Sequence, residues 1–291
     1  MVVDADVTRA FAEGRVPTNT TYITPEYLNE NRDPPARIAI IVIAAIVTVS
    51  LGLRCFSRIF LVKSFGLDDG LALFSYACFL AFVTLCIILI DQGSGRHIEY
   101  IQYVLSQATT NSTEINDYAA HLIYTAALFI CRLSGLAFFY RLCSRHQPLQ
   151  RVIRLAAVFL VCAFLPQFLL ILLHCMPVTG LWPYAWQPEA GDYKCVTWVS
   201  LTVLAVDMIV RANQRQGTVY VTNSGLSLVC DLVVFSIPAA MITLLKLSHG
   251  RKVMLALLLM PGVAVIGISV ARLYLCVVGQ WASDGSWVSR T

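Results

Sequence analysis

The sequence contains few charged residues, which make up only 13% of its 291 positions, whereas hydrophobic residues make up 58%. Soluble domains carry roughly twice that charged fraction, so the composition excludes a water-soluble globular protein. The mean hydropathy of +0.71 leads to the same conclusion. The sequence also lacks an internal repeat and a low-complexity segment, and residues 1–35 lack the apolar run of a signal peptide. An integral membrane protein is therefore expected.

Spacings typical of metal and redox sites are missing as well. The five histidines are scattered, and neither His-x3-His nor Cys-x2-Cys occurs. A retinal pigment needs a buried lysine for its Schiff base. The sequence has only four lysines, all in predicted loops or at span edges: Lys63, Lys194, Lys246 and Lys252. We expect no cofactor, no metal and no retinal chemistry, and a non-enzymatic role is favoured over catalysis.

Long apolar runs dominate what is present. A bilayer core about 30 Å thick needs roughly 20 helical residues for each crossing. Six runs reach that length, at residues 36–56, 70–90, 119–140, 155–175, 223–245 and 253–278. Their hydrophobicity is continuous rather than alternating, which predicts helices. The predicted fold is all-α, a polytopic transmembrane helical bundle with six spans.

Basic residues are concentrated in alternate loops between these runs. Ten of the 21 Lys and Arg residues fall in three such loops: Arg54, Arg58 and Lys63; Arg141, Arg145, Arg151 and Arg154; Lys246, Arg251 and Lys252. Cytoplasmic loops carry an excess of Lys and Arg, so the alternation predicts an N-terminus on the outer side. It also explains the net charge of +4 without nucleic-acid binding. The expected partners are the lipid bilayer and a cytoplasmic signalling protein at the basic loops.

This topology divides the chain into three parts. Residues 1–35 are expected to form an extracellular polar tail, residues 36–278 the membrane domain, and residues 279–291 a short, truncated tail. Two glycosylation sequons, at Asn19 and Asn111, fall in segments predicted to lie outside, the second in an outer loop. The chain is expected in the plasma membrane or an endomembrane.

Polar residues border the second span on both sides. Asp68 and Asp69 precede it, where carboxylates cap a helix N-terminus and meet the positive end of its dipole. A glycine-rich segment follows the span, with the residues Gly93, Gly95, Arg96 and His97. No strand precedes this segment, so a tight outer turn is favoured over a phosphate-binding loop.

Three ionisable residues lie at predicted membrane depth: Arg132, Asp231 and Arg272. A charge at a span centre costs roughly 2.5–3.5 kcal/mol on insertion scales, so it should face the bundle interior and be paired. Asp231 is expected to pair with Arg132 or Arg272. Two interpretations stay open, namely a salt bridge that fixes packing and a polar core that binds a ligand or transmits a signal.

Two cysteines, Cys175 and Cys195, flank the same predicted outer loop. The outside of a cell is oxidising, which favours a disulfide that closes this loop. The alternative is a pair of free thiols.

The segment 199–216 interrupts the pattern of spans and loops. It begins apolar, but it contains Asp207, Arg211 and Arg215 and is too short to cross a membrane. Codons for its two ends can match an intron donor and acceptor, and the donor signature recurs at Val288-Ser289, just after Trp287. We hypothesise that both places are retained introns, the second of which ends translation early.

Short motifs follow one another in a fixed order between residues 36 and 287. They are Arg54-x3-Arg58, Gly66-x-Asp68-Asp69, Gly93-x-Gly95-Arg96-His97, Cys175-x-Pro177, Trp182, Cys195, Asp231, Pro238, Arg251-Lys252, Gly262, Ser269-x2-Arg272 and Asp284-x2-Trp287. Together they resemble the fungal rhodopsin-domain family of integral membrane proteins, which includes Pth-type receptor-like proteins and membrane proteins of the satratoxin cluster. The resemblance implies seven helices, so one span is missing from this sequence. Gly70 also departs from the family pattern, which has an aromatic residue there.

The resemblance implies a receptor-like protein that senses extracellular or surface cues through a small-molecule or surface ligand. The alternative is an accessory membrane protein or an embedded enzyme of a fungal secondary-metabolite pathway, with Asp231 or the Asp68-Asp69 pair as the acid. The pair is predicted at the inner surface and Asp231 in mid-membrane, so these carboxylates are not expected to converge on one cavity. A transporter is disfavoured because no internal repeat is present.

Overall fold

The computed structural model describes residues 5–17, 23–30, 33–143, 146–172, 175–176, 194–195, 218–244, 262–271 and 273–274. The helices within these ranges are α1 (Ala5–Ala12), α2 (Pro25–Asn29), α3 (Asp33–Phe56), α4 (Leu67–Asp91), α5 (Ile98–Tyr103), α6 (Gln107–Leu142), α7 (Gln147–Leu172), α8 (Thr218–Leu244) and a further helix at Gly262–Ala271. A π-helical turn, Ser57–Leu61, continues α3. Two-residue strands, β1 (Cys175–Met176) and β2 (Lys194–Cys195), pair antiparallel.

The predicted fold class, a polytopic helical bundle, is confirmed. Five of the described helices are long and apolar enough to cross a membrane: α3, α4, α6, α7 and α8. The last residue of each helix lies within three residues of the end of the corresponding predicted run, whereas α7 begins eight residues and α8 five residues before its run, because hydrophobic length marks the span and not the whole helix. The sixth predicted run is described at 262–271 and 273–274, where the Gly262–Ala271 helix is apolar but shorter.

Helix α6 is the centre of the bundle and differs from its predicted bounds. It packs against α4, α7 and α8. The apolar run predicted a start at residue 119, but the helix begins at Gln107 because the Ser106 side chain accepts a hydrogen bond from the Thr109 N–H at 3.2 Å, which caps it. The Asn111 sequon, predicted in an outer loop, therefore lies in a helix. That placement corrects the prediction, since polar composition alone was taken to mean a loop.

Apolar side chains separate into a packed core and a lipid-facing surface. The core lies between α6, α7 and α8 and includes Leu136, Leu160 and Met241, each 2% exposed. On α3, by contrast, the large apolar side chains such as Ile46 and Leu53 are mostly exposed. Exposed leucine and isoleucine along a whole helix face are what acyl chains solvate, so the burial pattern suits a bilayer rather than water.

The N-terminal segment, predicted as a polar tail, contains folded structure. Helices α1 and α2 pack with the connection between α4 and α6, and we call α1, α2 and the described residues up to Glu30 the outer cap. Its buried apolar side chains are Val7, Ala10, Val16, Ile23 and Leu28, which contact Tyr100 and Val104 of that connection. Arg15 Nη1 also donates to the Val104 carbonyl at 3.4 Å. Five apolar residues scattered through 35 positions are enough to order the segment once a partner surface exists.

Several predicted features lie outside the described residues. They are Asn19, Arg272, the interrupting segment 199–216, the last basic loop with Lys246, Arg251 and Lys252, and the tail 279–291. Their predictions stay predictions.

Candidate functional site

The charged residues that precede the second span form a cluster at the N-terminus of α4. Asp68 and Asp69 are both only 2% exposed. Arg54 donates through Nη2 to Asp68 at 3.2 Å and through Nε to Asp69 at 3.1 Å. Arg58 reaches the same two carboxylates, at 3.4 Å and 3.6 Å. The spacing Arg54-x3-Arg58 puts both guanidinium groups on one face at the end of α3, where they share the pair.

A third arginine comes from the far end of α6. Arg141 Nη1 lies 3.3 Å from Asp68 Oδ1, and its Nη2 donates to the Ser64 carbonyl at 3.2 Å and to the Ser64 hydroxyl. Ser134, two turns earlier on α6, donates to the Asp68 main-chain carbonyl at 2.8 Å. We call Arg54, Arg58, Asp68, Asp69 and Arg141 the inner charge cluster. It joins three helices through two carboxylates.

Gly66 is required by this packing. Asp69 accepts a hydrogen bond from the Gly66 N–H at 3.2 Å and so caps the helix. A Cβ at position 66 would lie 2.5 Å from Asp68 Oδ1 and 2.6 Å from Arg141 Nη1. Each residue of the motif Gly-x-Asp-Asp thus has a role. Asp69 caps the helix, Asp68 is the buried partner of the arginines, and Gly66 leaves the space that their side chains occupy.

The contacts of the inner charge cluster suit a structural role in helix packing better than a role in acid catalysis. Both guanidinium groups of α3 also lie over the Phe138 ring, 5.7 Å and 5.5 Å from its centroid. Two buried carboxylates thus face three cations, so neither is left as an unpaired acid. Removing one partner from such a buried pair costs roughly 3–5 kcal/mol, because the remaining charge is left uncompensated.

The intramembrane residues form a second polar site, the polar core. Arg132 Nε donates to Asp231 Oδ1 at 2.8 Å, and its Nη2 donates to the Ser227 hydroxyl at 2.6 Å and carbonyl at 3.1 Å. The Ser269 hydroxyl donates to Asp231 Oδ2 at 2.7 Å. Of the two expected partners of Asp231, the structure brings Arg132 to it, while Arg272 lies outside the described residues. Three elements meet here: α6, α8 and the Gly262–Ala271 helix.

Sequence reasoning gave the two serines of the polar core no role, although Ser269 is part of the motif Ser269-x2-Arg272. Serine is common in spans, where its hydroxyl bonds to the helix's own carbonyls, so its presence carries little signal. Gly262 gives a stronger indication of a close approach. A Cβ there would lie 2.8 Å from the Phe235 ring, so the last described helix packs directly on α8. That contact places Ser269 within reach of Asp231.

A small cavity adjoins the polar core. Its volume is about 20 Å³, which is room for one water molecule. Arg132, Ser227 and Gln167 line it. Gln167 is 8% exposed, and its Nε2 has no hydrogen-bond partner among the described residues. Gln167 thus places a hydrogen-bond donor of α7 at the small cavity beside the polar core.

The outer turn after α4 has the backbone of a tight turn. Gly93 and Gly95 have φ values of +86° and +91°, which side chains disfavour. Arg96 Nη2 lies 3.2 Å from Asp33 at the start of α3. His97 stacks on Tyr27 of the outer cap, with ring centroids 4.0 Å apart.

The His97 ring also reaches the cap through hydrogen bonding. Its Nε2 lies 3.4 Å from Glu30 Oε2. Tyr27 in turn donates its hydroxyl to Glu99 at 3.3 Å. The four residues of the glycine-rich segment therefore join α3, α4 and the outer cap.

A larger cavity, which we call the outer cavity after the predicted orientation, lies beside the glycine-rich turn that follows α4. It has a volume of about 500 Å³ and is walled by α3, α4, α6 and the outer turn. The lining is mostly apolar, but Ser94, Asp117, His121 and Tyr124 supply polar groups. His121 Nε2 and Asp117 Oδ2 are 3.5 Å apart, one helical turn from each other. Sequence reasoning missed this site, because most of its lining residues belong to predicted spans whose packing the sequence does not show, and Ser94 and Asp117 were taken as part of a loop.

The two loop cysteines face each other in the backbone of the β1–β2 pair. Cys175 and Cys195 are directly opposed Cα partners. Opposed residues in antiparallel strands have Cα atoms roughly 4.5–5.5 Å apart, which lies within the range that a disulfide spans. The bond itself stays a prediction.

Within the described ranges, no three His, Cys, Asp or Glu side chains come close enough together to hold a metal ion. Of the four lysines, Lys63 lies in the turn after the π-helical segment and Lys194 in β2, while Lys246 and Lys252 are outside the described residues.

These features define a polytopic α-helical membrane protein with a buried ion pair in mid-bundle and an arginine–aspartate cluster at one end. The comparison with known families agrees. The profile of the fungal rhodopsin domain matches residues 53–291, so the chain belongs to the fungal rhodopsin domain family. No curated protein and no solved structure matches the chain. The predicted family is confirmed.

Proposed function

We propose that the chain is a receptor-like membrane protein that binds a small, mostly apolar molecule in the outer cavity and is not a photoreceptor. The cavity of about 500 Å³ has the size of ordinary small-molecule sites, and its apolar wall with a few polar groups has their composition. In the proposed orientation this cavity and the outer cap lie outside the cell, and the inner charge cluster lies in the cytoplasm.

One observation carries this proposal: a single helix, α6, contributes to all three polar sites. Asp117 and His121 line the outer cavity, Arg132 belongs to the polar core, and Arg141 belongs to the inner charge cluster. Residues 121 and 141 are about 30 Å apart along the helix axis, which is the thickness of the bilayer core. A rigid element with contacts at both membrane faces is what a transmembrane signal requires.

The polar core supplies a place where that signal can be converted. Tyr124 lines both the outer cavity and the small cavity beside Arg132. A ligand that shifts Tyr124 therefore acts on the neighbourhood of the Arg132–Asp231 pair. An ion pair with serine partners on α8 and on the Gly262–Ala271 helix can exchange those partners, which makes it a candidate two-state element.

The alternative, an embedded enzyme of a secondary-metabolite pathway, has less support. Asp68, Asp69 and Asp231, the candidate acids of that alternative, are all engaged in ion pairs with arginine. The outer cavity holds one carboxylate, Asp117, beside a histidine. That pair suits recognition of a polar group better than acid catalysis.

The test is a thermal-stability screen of small amphipathic molecules on the full chain in lipid nanodiscs. We expect that a ligand raises the unfolding midpoint of the wild type and of the lipid-facing control Ala45→Trp. Ala120→Trp, which fills the cavity, and the conservative Asp117→Asn should lose that shift. Bound ligand should also change amide hydrogen exchange around Ser64, at the opposite membrane face. A ligand that binds without that change would contradict signalling, and shifts that survive in both cavity variants would contradict the site.

A further inference from the structure

A second groove lies at the end of the bundle that carries the inner charge cluster. It has a volume of about 670 Å³ and lies between the start of α4, the end of α6 and the start of α7. Its walls include the apolar side chains of Leu71, Leu133, Ala137, Ile153 and Ala157. Two arginines, Arg141 and Arg154, also line it. No role described above uses this groove.

The groove combines depth with a charged rim. Arg141 is in the last turn of α6, whereas Leu133 lies about 12 Å further along the helix toward the membrane centre. Arg154 is in the second turn of α7, near the same end of the bundle. The polar part of the groove is thus at the membrane surface and its apolar part within the hydrocarbon.

The groove is accessible from the side where lipid lies. Leu67, one of its lining residues, is 87% exposed, and Leu155, next to Arg154, is 70% exposed. Exposed leucines at a span edge are solvated by acyl chains in a membrane. An occupant can therefore enter from the bilayer without crossing water.

The charge at this end of the bundle favours an anion. Among the described residues, six cations face two carboxylates here: Arg54, Arg58, Lys63, Arg141, Arg151 and Arg154 against Asp68 and Asp69. Arg154 is exposed and makes no ion pair with a described carboxylate. Arg141 keeps part of its guanidinium for Asp68 and Ser64. Basic pockets between transmembrane helices at a membrane surface bind acidic lipid headgroups.

We propose that this groove binds an anionic glycerophospholipid, with its phosphate on Arg154 and Arg141 and one acyl chain along Leu71, Leu133 and Ala157. The charge surplus selects the headgroup, and the apolar depth selects a lipid over a soluble phosphate. Because Arg141 also holds Asp68, the bound phosphate shares a cation with the inner charge cluster. Lipid occupancy then stabilises the contact between α4 and α6.

The chain offers a matched pair of variants for a test. Arg154→Gln removes a charge from the groove, whereas Arg151→Gln removes a charge from an exposed position on the same helix that does not line it. Native mass spectrometry of the full chain in detergent, titrated with phosphatidic acid or phosphatidylcholine, counts the bound lipids. We expect tighter binding of phosphatidic acid, and about fivefold weaker binding to Arg154→Gln, as one basic residue near a charged headgroup is worth about that much. Arg151→Gln should bind like the wild type.

A second variant tests the acyl-chain part of the groove. Ala157→Trp should fill the apolar wall and reduce phosphatidic acid binding without changing any charge. Equal losses in Arg151→Gln and Arg154→Gln would show only diffuse attraction to the basic surface and would overturn the proposal. Glycerol 3-phosphate that competes as well as the lipid would replace it with a soluble-phosphate site. Unchanged lipid binding in Ala157→Trp would remove the groove as the acyl-chain site.

Discussion

Gly66 and Arg141, 75 positions apart in sequence, are in contact at the inner end of the bundle. The guanidinium of Arg141 occupies the space that a side chain at position 66 would need, with only 2.6 Å between the Arg141 Nη1 and a Cβ there. The same space is bounded by the buried carboxylate of Asp68. Gly66, the residue before α4, therefore leaves room for the guanidinium of Arg141 from α6.

This contact leads to the first prediction, on two neighbouring glycines. Gly66→Ala should destabilise the protein by about 1–3 kcal/mol, because the added methyl group displaces a buried ion pair from a packed site. Gly70→Ala is the matched control, since no atom lies within 4 Å of a Cβ there and α4 gains about 0.5–1 kcal/mol from the substitution. Thermal unfolding in detergent measures both. Equal midpoints would mean that the inner charge cluster tolerates the methyl group.

The second prediction concerns the ion pair in the polar core. Asp231→Asn leaves the buried Arg132 without its counter-charge and should cost about 3–5 kcal/mol. Arg132→Met combined with Asp231→Leu should recover most of that loss, because no buried charge remains. Unfolding measurements on Arg132→Met, Asp231→Leu and the double variant form a double-mutant cycle. Additive losses would show that the two side chains do not stabilise each other.

A charge-swapped pair of variants tests whether Asp231 is the ion-pair partner of Arg132. Asp231→Arg alone should abolish folding, and Arg132→Asp in the same chain should restore part of it. Arg272→Asp is the second swap to measure, and rescue of Asp231→Arg by neither Arg132→Asp nor Arg272→Asp would show that the pairing prediction is wrong.

The third prediction is that Cys175 and Cys195 form a disulfide. Their backbones are directly opposed in the β1–β2 pair, a placement that a disulfide can join. Peptide mapping of the non-reduced protein should recover the two cysteines in one cross-linked species. Serine at either position should give the same loss of stability, of about 2–4 kcal/mol, and the double variant no more than that. Free thiols at both positions in the native protein would contradict the prediction.

The fourth prediction tests the outer cap. Leu28 is fully buried among the cap residues, so Leu28→Ala should loosen the cap by about 2–5 kcal/mol while leaving the bundle intact. Limited trypsin digestion should then cut faster at Arg9 and Arg15. Glu26→Ala, at an exposed position of the same short helix, should digest like the wild type. Unchanged cleavage in Leu28→Ala would mean that the cap does not depend on this core.

Much of the bundle follows from sequence because the bilayer imposes one strong rule. Hydrophobic length gave α3 and α4 to within three residues at each end. The cost of an unpaired intramembrane charge led to the expectation that Asp231 lies against an arginine. Both arguments depend only on local composition and on the known properties of the bilayer core.

The parts that could not be predicted depend on contacts between distant segments. The first twelve residues of α6 are polar, and polarity is shared by loops and by helices that stand in water. Asp117 of the outer cavity is on that same stretch, and its pairing with His121 one turn later was missed together with the helix. The outer cap depends on Tyr100 and Val104, which lie far from α1 and α2 in sequence.

The length of α6 has a mechanical consequence. Its 36 residues make a rod about 54 Å long, of which the bilayer core encloses only about 30 Å. The remaining length is the N-terminal part of the helix, which contains Asn111 and extends beyond the bilayer core. Tilting such a rod by about five degrees at its inner end displaces its outer tip by about 5 Å, from the rise per residue alone. The same tilt moves Arg132, about 15 Å from the inner end, by only about 1.3 Å, so a small adjustment at the polar core corresponds to a movement several times larger at the tip.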